Sequence, residues 1–408
     1  MAKDITIKDF LGLNNVLPAE ELQVKEGFKT TGYYLNKATN VNIDNRNKVK
    51  RRNGYDLKYA GDCHSMWSDG SICLFRSGSD LQTLSEDFLS ATTLRTGITG
   101  SLNMAYLSLN NKVYYSDGNI TGVIENGASR SWGLDIPTAP ILLSSIPGSL
   151  KAGIYQVCLT YVRDDGQESG SSDAVSITLA NNTSGIRIAG IVLSSDPSVS
   201  KIRVYVSRRD SEIFYLAYTL TNTSQTIDRT SEDGLTAISL KTQFLSPPPA
   251  GQILEYYGGM IHIGSFDVDW YTEPFKYELC NVLTNHIQFQ NDLSMIGAVD
   301  QGIFYGTDEQ ISFARGTGPK NFKFEDKADY GAIFGTMRKI NRHDIGKNEA
   351  MSTFIMFASK KGLCIGASDG DLVNKTRDVY DYTATDIGAG FTRREDGIDQ
   401  YIAVLGKT

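Results

Sequence analysis

The chain has 408 residues, a formal net charge of −7, and 21 Tyr, 17 Phe and 39 Gly. That length accommodates two or three domains, or one large β domain carrying an insertion. The acidic balance argues against a domain built mainly to grip nucleic-acid phosphates, though not against a surface past which DNA moves without sticking.

Long amphipathic periods are nearly absent and no apolar run reaches membrane-spanning length, so the expectation is an all-β chain without stable membrane insertion. The first residues, Met1 to Asn15, carry charges where a secretory leader needs an apolar core, which predicts a protein kept in the cytoplasm until assembly. Cys63, Cys73, Cys158, Cys280 and Cys364 are odd in number, scattered, and mostly set among apolar residues. They read as small buried hydrophobes rather than as a disulfide framework or a metal site.

Residues 1–35 show little periodicity and are expected to form an extended N-terminal arm, with a short helical turn after Pro18. Val41 and Ile43 then alternate with Asn, and Asp44-Asn45 suits a turn, so a hairpin is expected through to Tyr55. Its second half carries Lys48, Lys50, Arg51 and Arg52. No aromatic residue interleaves these charges, so a solvated strand face, or one paired to a neighbouring subunit, is favoured over a nucleic-acid site.

Residues 36–135 hold two copies of a turn-plus-apolar-strand unit, Asp69 to Phe75 and Asn110 to Tyr115. Ser116-Asp117-Gly118 approaches an Asp-box turn but does not meet its spacing. The unit returns at Gly258 to Ile263, in the meander Asp292 to Gly316, at Lys361 to Ile365 and at Asp396 to Ile402. Once residues 136–248 are set aside, the period is about 40 residues with several short strands each, as β-propeller blades give. A lone meander of this size cannot bury its own apolar face, so the copies are expected to pack on one another. An ordinary β-sandwich with regular hairpins is the competing reading.

Residues 136–248 differ in character. They are entered through Ile136-Pro137 and left through Pro247-Pro248-Pro249, and contain alternating strands at Ile154 to Val162, Ala174 to Leu179, Ile186 to Ile188, Lys201 to Arg209, Phe214 to Tyr218 and Thr226 to Asp228. Such a rhythm predicts an immunoglobulin/fibronectin III-like sandwich inserted between blades. Residues 249–408 return to the propeller.

Catalytic signatures are fragmentary. His64, His262, His286 and His343 show no zinc spacing, and His262, in an apolar strand, is expected in the core or an interface. Gly366-Ala367-Ser368-Asp369-Gly370 fits G-x-S-x-G, but no histidine follows it to serve as base and no helical period follows. Asp369 and Asp371 begin like a calcium loop that Val373 and Tyr380 then break. Gly406-Lys407-Thr408 ends like a P-loop, with Tyr401 where its first glycine belongs. Glu273 and Glu278 could form a glycosidase pair on geometry alone, a pairing that chance readily supplies among 47 acidic residues. No enzyme and no cofactor are expected.

Several stretches together carry a likeness: Gly12-Leu13-Asn14-Asn15, the Asn40 to Asp44 hairpin with its Arg51-Arg52-Asn53-Gly54-Tyr55 end, the fibronectin-like insertion, and Trp270 to Glu278 followed by Gly302 to Gln310. In combination they resemble the tail nozzle and hub proteins of short-tailed bacteriophages, also called packaged-DNA stabilisation proteins. The resemblance implies a structural virion protein of the tail, assembled in the host bacterial cytoplasm. It implies a homo-oligomeric, typically hexameric ring below the portal and adaptor, which retains packaged double-stranded DNA and continues the channel for its ejection. Tail fibre or needle proteins are further implied partners, with DNA a transient one in the channel. A carbohydrate- or receptor-binding propeller, or a propeller glycosidase, are the alternatives.

Overall fold

The computed structural model describes residues 9–26, 29–44, 46–138, 140–341, 352–395 and 398–406. Strands dominate, and the expected all-β architecture is the one observed: a propeller-like body, a sandwich inserted into it, and an N-terminal arm. Among the described residues the body contains five four-stranded sheets, each threaded in sequence order. The first blade comprises Cys63–Ser68, Cys73–Ser77, Asp80–Leu84 and Ala91–Arg95, and the second Ala105–Leu109, Lys112–Ser116, Thr121–Glu125 and Ala128–Arg130. After the insertion, the third holds Ile253–Tyr257, Met260–Ser265, Val268–Tyr271 and His286–Gln288. The fourth holds Leu293–Val299, Gly302–Thr307, Ile311–Arg315 and Lys323–Ala328, and the fifth Arg338–Asn341, Thr353–Ser359, Gly362–Gly366 and Leu372–Asn374. A two-stranded hairpin, Gly388–Glu395 with Ile398–Leu405, ends the body.

The repeat unit read from sequence marks the second strand of its sheet everywhere but in the fifth blade. Val113, Ile261, Ile303 and Tyr401 lie on second strands, Ile72 immediately precedes one, and Leu363 lies on the third strand of the fifth blade. The reason is burial on both faces. Successive side chains on a strand point to opposite faces of its sheet, so a blade packed on both sides needs an unbroken apolar run. In the second blade Val113 and Tyr115 face Leu74 and Leu81 of the first, whereas Tyr114 faces Ile261 and Ile263 of the third. In the fourth blade Ile303 and Tyr305 pack toward Ile253 of the third, and Phe304 toward Ile355 and Phe357 of the fifth. Each such side chain contributes roughly 1.5–3 kcal/mol of burial free energy. The last hairpin joins the fifth blade through Gly388 N–H to Phe334 O (2.9 Å) and Tyr401 OH to Thr336 O (2.6 Å).

The inserted sandwich stacks a three-stranded sheet (Leu142–Leu150, Ser184–Ala189, Ile227–Arg229) on a four-stranded one (Val175–Leu179, Gly153–Arg163, Val199–Ser207, Phe214–Thr221). Tyr155, Val157, Leu159 and Tyr161 alternate inward against Ile186 and Ile188, filling the space between the sheets. The opposite face of the four-stranded sheet is also covered, where Cys158, Tyr205, Phe214 and Leu216 form a second cluster with Leu240.

Three features depart from the sequence reading. The arm is more structured than a bare extended segment: Phe10–Leu13 pairs in parallel, and Gln23–Glu26 antiparallel, with Lys29–Leu35. Strand Leu142–Leu150 is hidden in sequence by its serines and by Pro147, which sits on a sheet edge at a register shift where proline is tolerated. The fourth strand of the Asp292 to Gly316 meander's blade, Lys323–Ala328, is mostly charged and shows no apolar run because it is the outer edge of its blade.

Candidate functional site

Among the described residues, Val41–Ile43 and Val49–Arg51 form a two-stranded hairpin of their own. Asp44 builds its turn: its Oδ1 accepts the N–H groups of Arg46 and Lys48, both at 2.9 Å, and Asn47 adopts a left-handed conformation (φ 56°). The Lys48 N–H bond is the main cause of a lowered Asp44 carboxyl pKa. Lys48, Lys50, Arg51 and Arg52 are all exposed. Arg52 Nε donates to Asn42 Oδ1 at 2.8 Å, which steadies its guanidinium against the hairpin. Arg51 and Arg52 line a surface recess of about 440 Å³ with Asn40, Asn53, Gly54 and Tyr55, which Lys48 and Lys50 do not line. Tyr55 is 82% exposed. The recess thus carries two guanidinium groups and a tyrosine, a composition that suits carboxylate- or phosphate-bearing partners.

The carboxylate pair weighed for glycoside hydrolysis is engaged elsewhere. Glu278 is nearly buried and accepts Arg163 Nη1 at 2.7 Å and Arg130 Nη2 at 2.7 Å, with Lys112 Nζ at 3.8 Å. Arg163 belongs to the sandwich, Arg130 and Lys112 to the second blade, and Glu278 to the loop between the third and fourth strands of the third blade. One carboxylate therefore joins three modules. Glu273 accepts Asn285 Nδ2 at 2.8 Å. Trp132 reinforces the joint, donating Nε1–H to Tyr277 O at 2.7 Å and packing on Tyr114. Sequence reasoning missed this joint because its members lie more than a hundred residues apart. The only local signal is an acid within an otherwise aromatic stretch.

The G-x-S-x-G match is a packing feature. A Cβ at Gly366 would sit 2.7 Å from Phe304 and 2.8 Å from Ile355, and Gly370 (φ +89°) lies against the Phe313 ring. Ser368 contributes its carbonyl to Gln301 N–H at 3.1 Å, and Asp369 caps the N–H of Asp371 at 3.2 Å. His262 is fully buried in the third blade, its Nδ1 2.7 Å from Asp269 Oδ2, which also accepts Tyr305 OH from the fourth blade at 2.7 Å. Burial, reinforced by Asp269, pushes the Tyr305 phenol far above its ordinary range. His343 and the Lys407-Thr408 ending lie outside the described residues. Among the described residues no three His, Cys, Asp or Glu side chains are grouped to hold a metal, and no helix is long and apolar enough to cross a membrane.

No family model and no curated protein matches the chain. Among solved structures, the crystal structure of the N-terminal domain of Nup159 matches at 9% identity and a TM-score of 0.33, over 84% of this chain and 72% of its own. A complex of S. cerevisiae Dbp5 bound to Nup159 and Gle1 gives 10% identity and a TM-score of 0.30, over 81% and 69%. The extracellular domain of a putative one-component system, BT4673, from B. thetaiotaomicron gives 9% and 0.21, over 82% and 57%. At these scores the neighbours carry no argument, and the propeller-like assignment of this chain rests on its own succession of four-stranded, sequentially threaded sheets.

Proposed function

We propose that the chain is a structural protein of a bacteriophage tail, forming an oligomeric nozzle or hub ring that retains packaged double-stranded DNA and continues its exit channel. The observation that carries the reading is the Glu278 joint, which fastens the inserted sandwich to the second and third blades through ion pairs of 2.7 Å. A module inserted into a propeller and clamped there by a nearly buried carboxylate serves as a fixed outer surface or spacer, a scaffolding role. Residues weighed for chemistry serve the fold: Glu278 holds modules together, His262 meets Asp269 within the core, and Gly366 and Gly370 admit aromatic rings. The exposed basic hairpin supplies a surface for an acidic partner or for DNA in transit. On this reading the protein catalyses no reaction. Its partners are copies of itself, an adaptor above, and fibre or needle proteins.

Sizing the native particle, alone and with adaptor protein, followed by electron microscopy, tests the proposal. A ring with an open axial channel is expected. A monomer at every protein concentration, with no ring when adaptor is present, would overturn it. Polysaccharide turnover abolished by Glu273→Gln would replace it with the glycosidase reading.

A further inference from the structure

An open sheet edge is a template for another strand, and folded proteins blunt such edges with charge, proline, bulges or cover. The inserted sandwich has four edges, and three of them are blunted. Leu142–Leu150 carries Pro147 at a register shift. Ile227–Arg229 is only three residues long, with Asp228 held by Arg187 at 2.7 Å. Phe214–Thr221 is overlaid by residues 236–240: Leu216 N–H donates to Ile238 O at 2.9 Å, and Leu240 N–H to Phe214 O at 3.0 Å. The fourth edge, Val175–Leu179, has none of these devices. It pairs with Gly153–Arg163 on one side, and among the described residues no strand lies on the other. It holds no charge, no proline and no register shift. Ala174, Ser176, Thr178 and Ala180 are exposed, small and uncharged, whereas Val175, Ile177 and Leu179 pack on the sandwich core.

We infer that this edge pairs with the same edge of a second copy, antiparallel about a two-fold axis at Ile177. The strand's own residues name the occupant, because their chemistry is the same read in either direction. Laid antiparallel on itself, the segment Ala174 to Ala180 sets Ala174 opposite Ala180, Val175 opposite Leu179, Ser176 opposite Thr178, and Ile177 opposite its own copy. Small meets small, aliphatic meets aliphatic and hydroxyl meets hydroxyl, and no like charges oppose one another. Such cross-strand pairs are what stabilise a sheet. The register is specified too, since a slip by one residue would set aliphatic side chains opposite hydroxyls. In the matched register the aliphatic residues of both copies continue one core face, and two four-stranded sheets become one of eight. The contact is isologous, each copy offering the same patch, so it closes at two chains. It goes beyond the ring reading, because a ring is built from heterologous contacts and this one joins chains in pairs.

The test uses the full chain with Cys63, the exposed thiol, replaced by Ser. A tagged chain bearing Ser176→Cys and an untagged one bearing Thr178→Cys are mixed and mildly oxidised. A tagged–untagged disulfide is expected, forming about tenfold or more faster than disulfides within either variant alone, whose cysteines stand diagonal to one another. Sedimentation of the parent should show a concentration-dependent dimer. Thr178→Lys, at a position exposed in the single chain, should weaken that dimer about tenfold or more, and Ser176→Lys should do the same. Circular dichroism equal to the parent's shows that the lysine variants fold. Lysine variants that associate as tightly as the parent, or single cysteine variants that cross-link as fast as the mixture, would overturn the inference. A parent that is monomeric at every concentration would do so too. A ring that forms with adaptor protein but yields no mixed disulfide overturns the inference and leaves the nozzle reading standing.

Discussion

Replacing Glu278 by alanine should destabilise the chain by about 3–5 kcal/mol, the cost of breaking a buried ion pair from one side. Nearly all of it falls on Arg163, whose side chain is 4% exposed, whereas Arg130 and Lys112 are 18% and 23% exposed and regain solvent. Without the carboxylate, Arg163 keeps only its Nε bond to Ser198 Oγ at 3.1 Å, and its Nη2 has no partner even in the parent. For a cooperative unit of sandwich size, the loss corresponds to a fall in melting temperature on the order of 15 °C. Calorimetry of the full chain reads the shift, and limited proteolysis around residues 133–140 and 245–250 reports whether the sandwich has come loose. The pair Arg163→Met with Glu278→Leu should recover much of the loss, because well-packed apolar side chains replace a buried ion pair at little cost. A Glu278→Ala variant within about 1 kcal/mol of the parent would refute the reasoning, since such a value belongs to a solvated surface pair.

Two further outcomes follow from the blades. Gly366→Ala and Gly370→Ala should each lower stability by about 1–3 kcal/mol through overpacking against Phe304 and Phe313, whereas Ser368→Ala should leave the denaturation midpoint nearly unchanged. The reverse pattern, with a stable Gly366→Ala and a Ser368→Ala that loses a measurable activity, would restore the nucleophile reading. At Asp69, burial acts to raise the carboxyl pKa, but bonds from the Ser71 and Ser108 hydroxyls and the N–H groups of Ser71 and Ile72 outweigh it and bring the value from 3.8 to about 2. Because the folded pKa is the lower one, its stabilisation is complete above about pH 4 and is lost as pH falls toward 2. Carboxyl NMR of labelled Asp69 checks this, and a midpoint at or above 3.8 would contradict it.

The blade array was legible because its signal is short-range. A second strand buried on both faces must be apolar at consecutive positions, so Val113-Tyr114-Tyr115 and Ile303-Phe304-Tyr305 stand out in a window of a few residues. The outer strands were not legible: Lys323–Ala328 meets solvent and need only alternate. The basic run and Tyr55 were visible in one short stretch, but the recess was not, since Asn40 meets Arg51 and Arg52 only once the hairpin pairs. Least legible was the Glu278 joint. Its three cations sit on strands fixed by their own apolar neighbours, and the distance from Arg163 to Glu278 along the chain is 115 residues. A pairing of that kind is written in the fold, not in any local pattern.

The seat of the arm has a consequence for how the molecule is made. Asn15 Nδ2 donates to Asp381 O at 2.7 Å and Asp381 N–H returns the bond to Asn15 Oδ1 at 2.8 Å, across 366 residues of chain. During synthesis the docking site emerges after the arm, roughly 20–70 s later at ordinary translation rates. Over that interval the blades and sandwich fold with the arm undocked. The arm is thus a late clasp, set only after the ribosome has passed Asp381, and a chain that stops short of that residue has nowhere to fasten it.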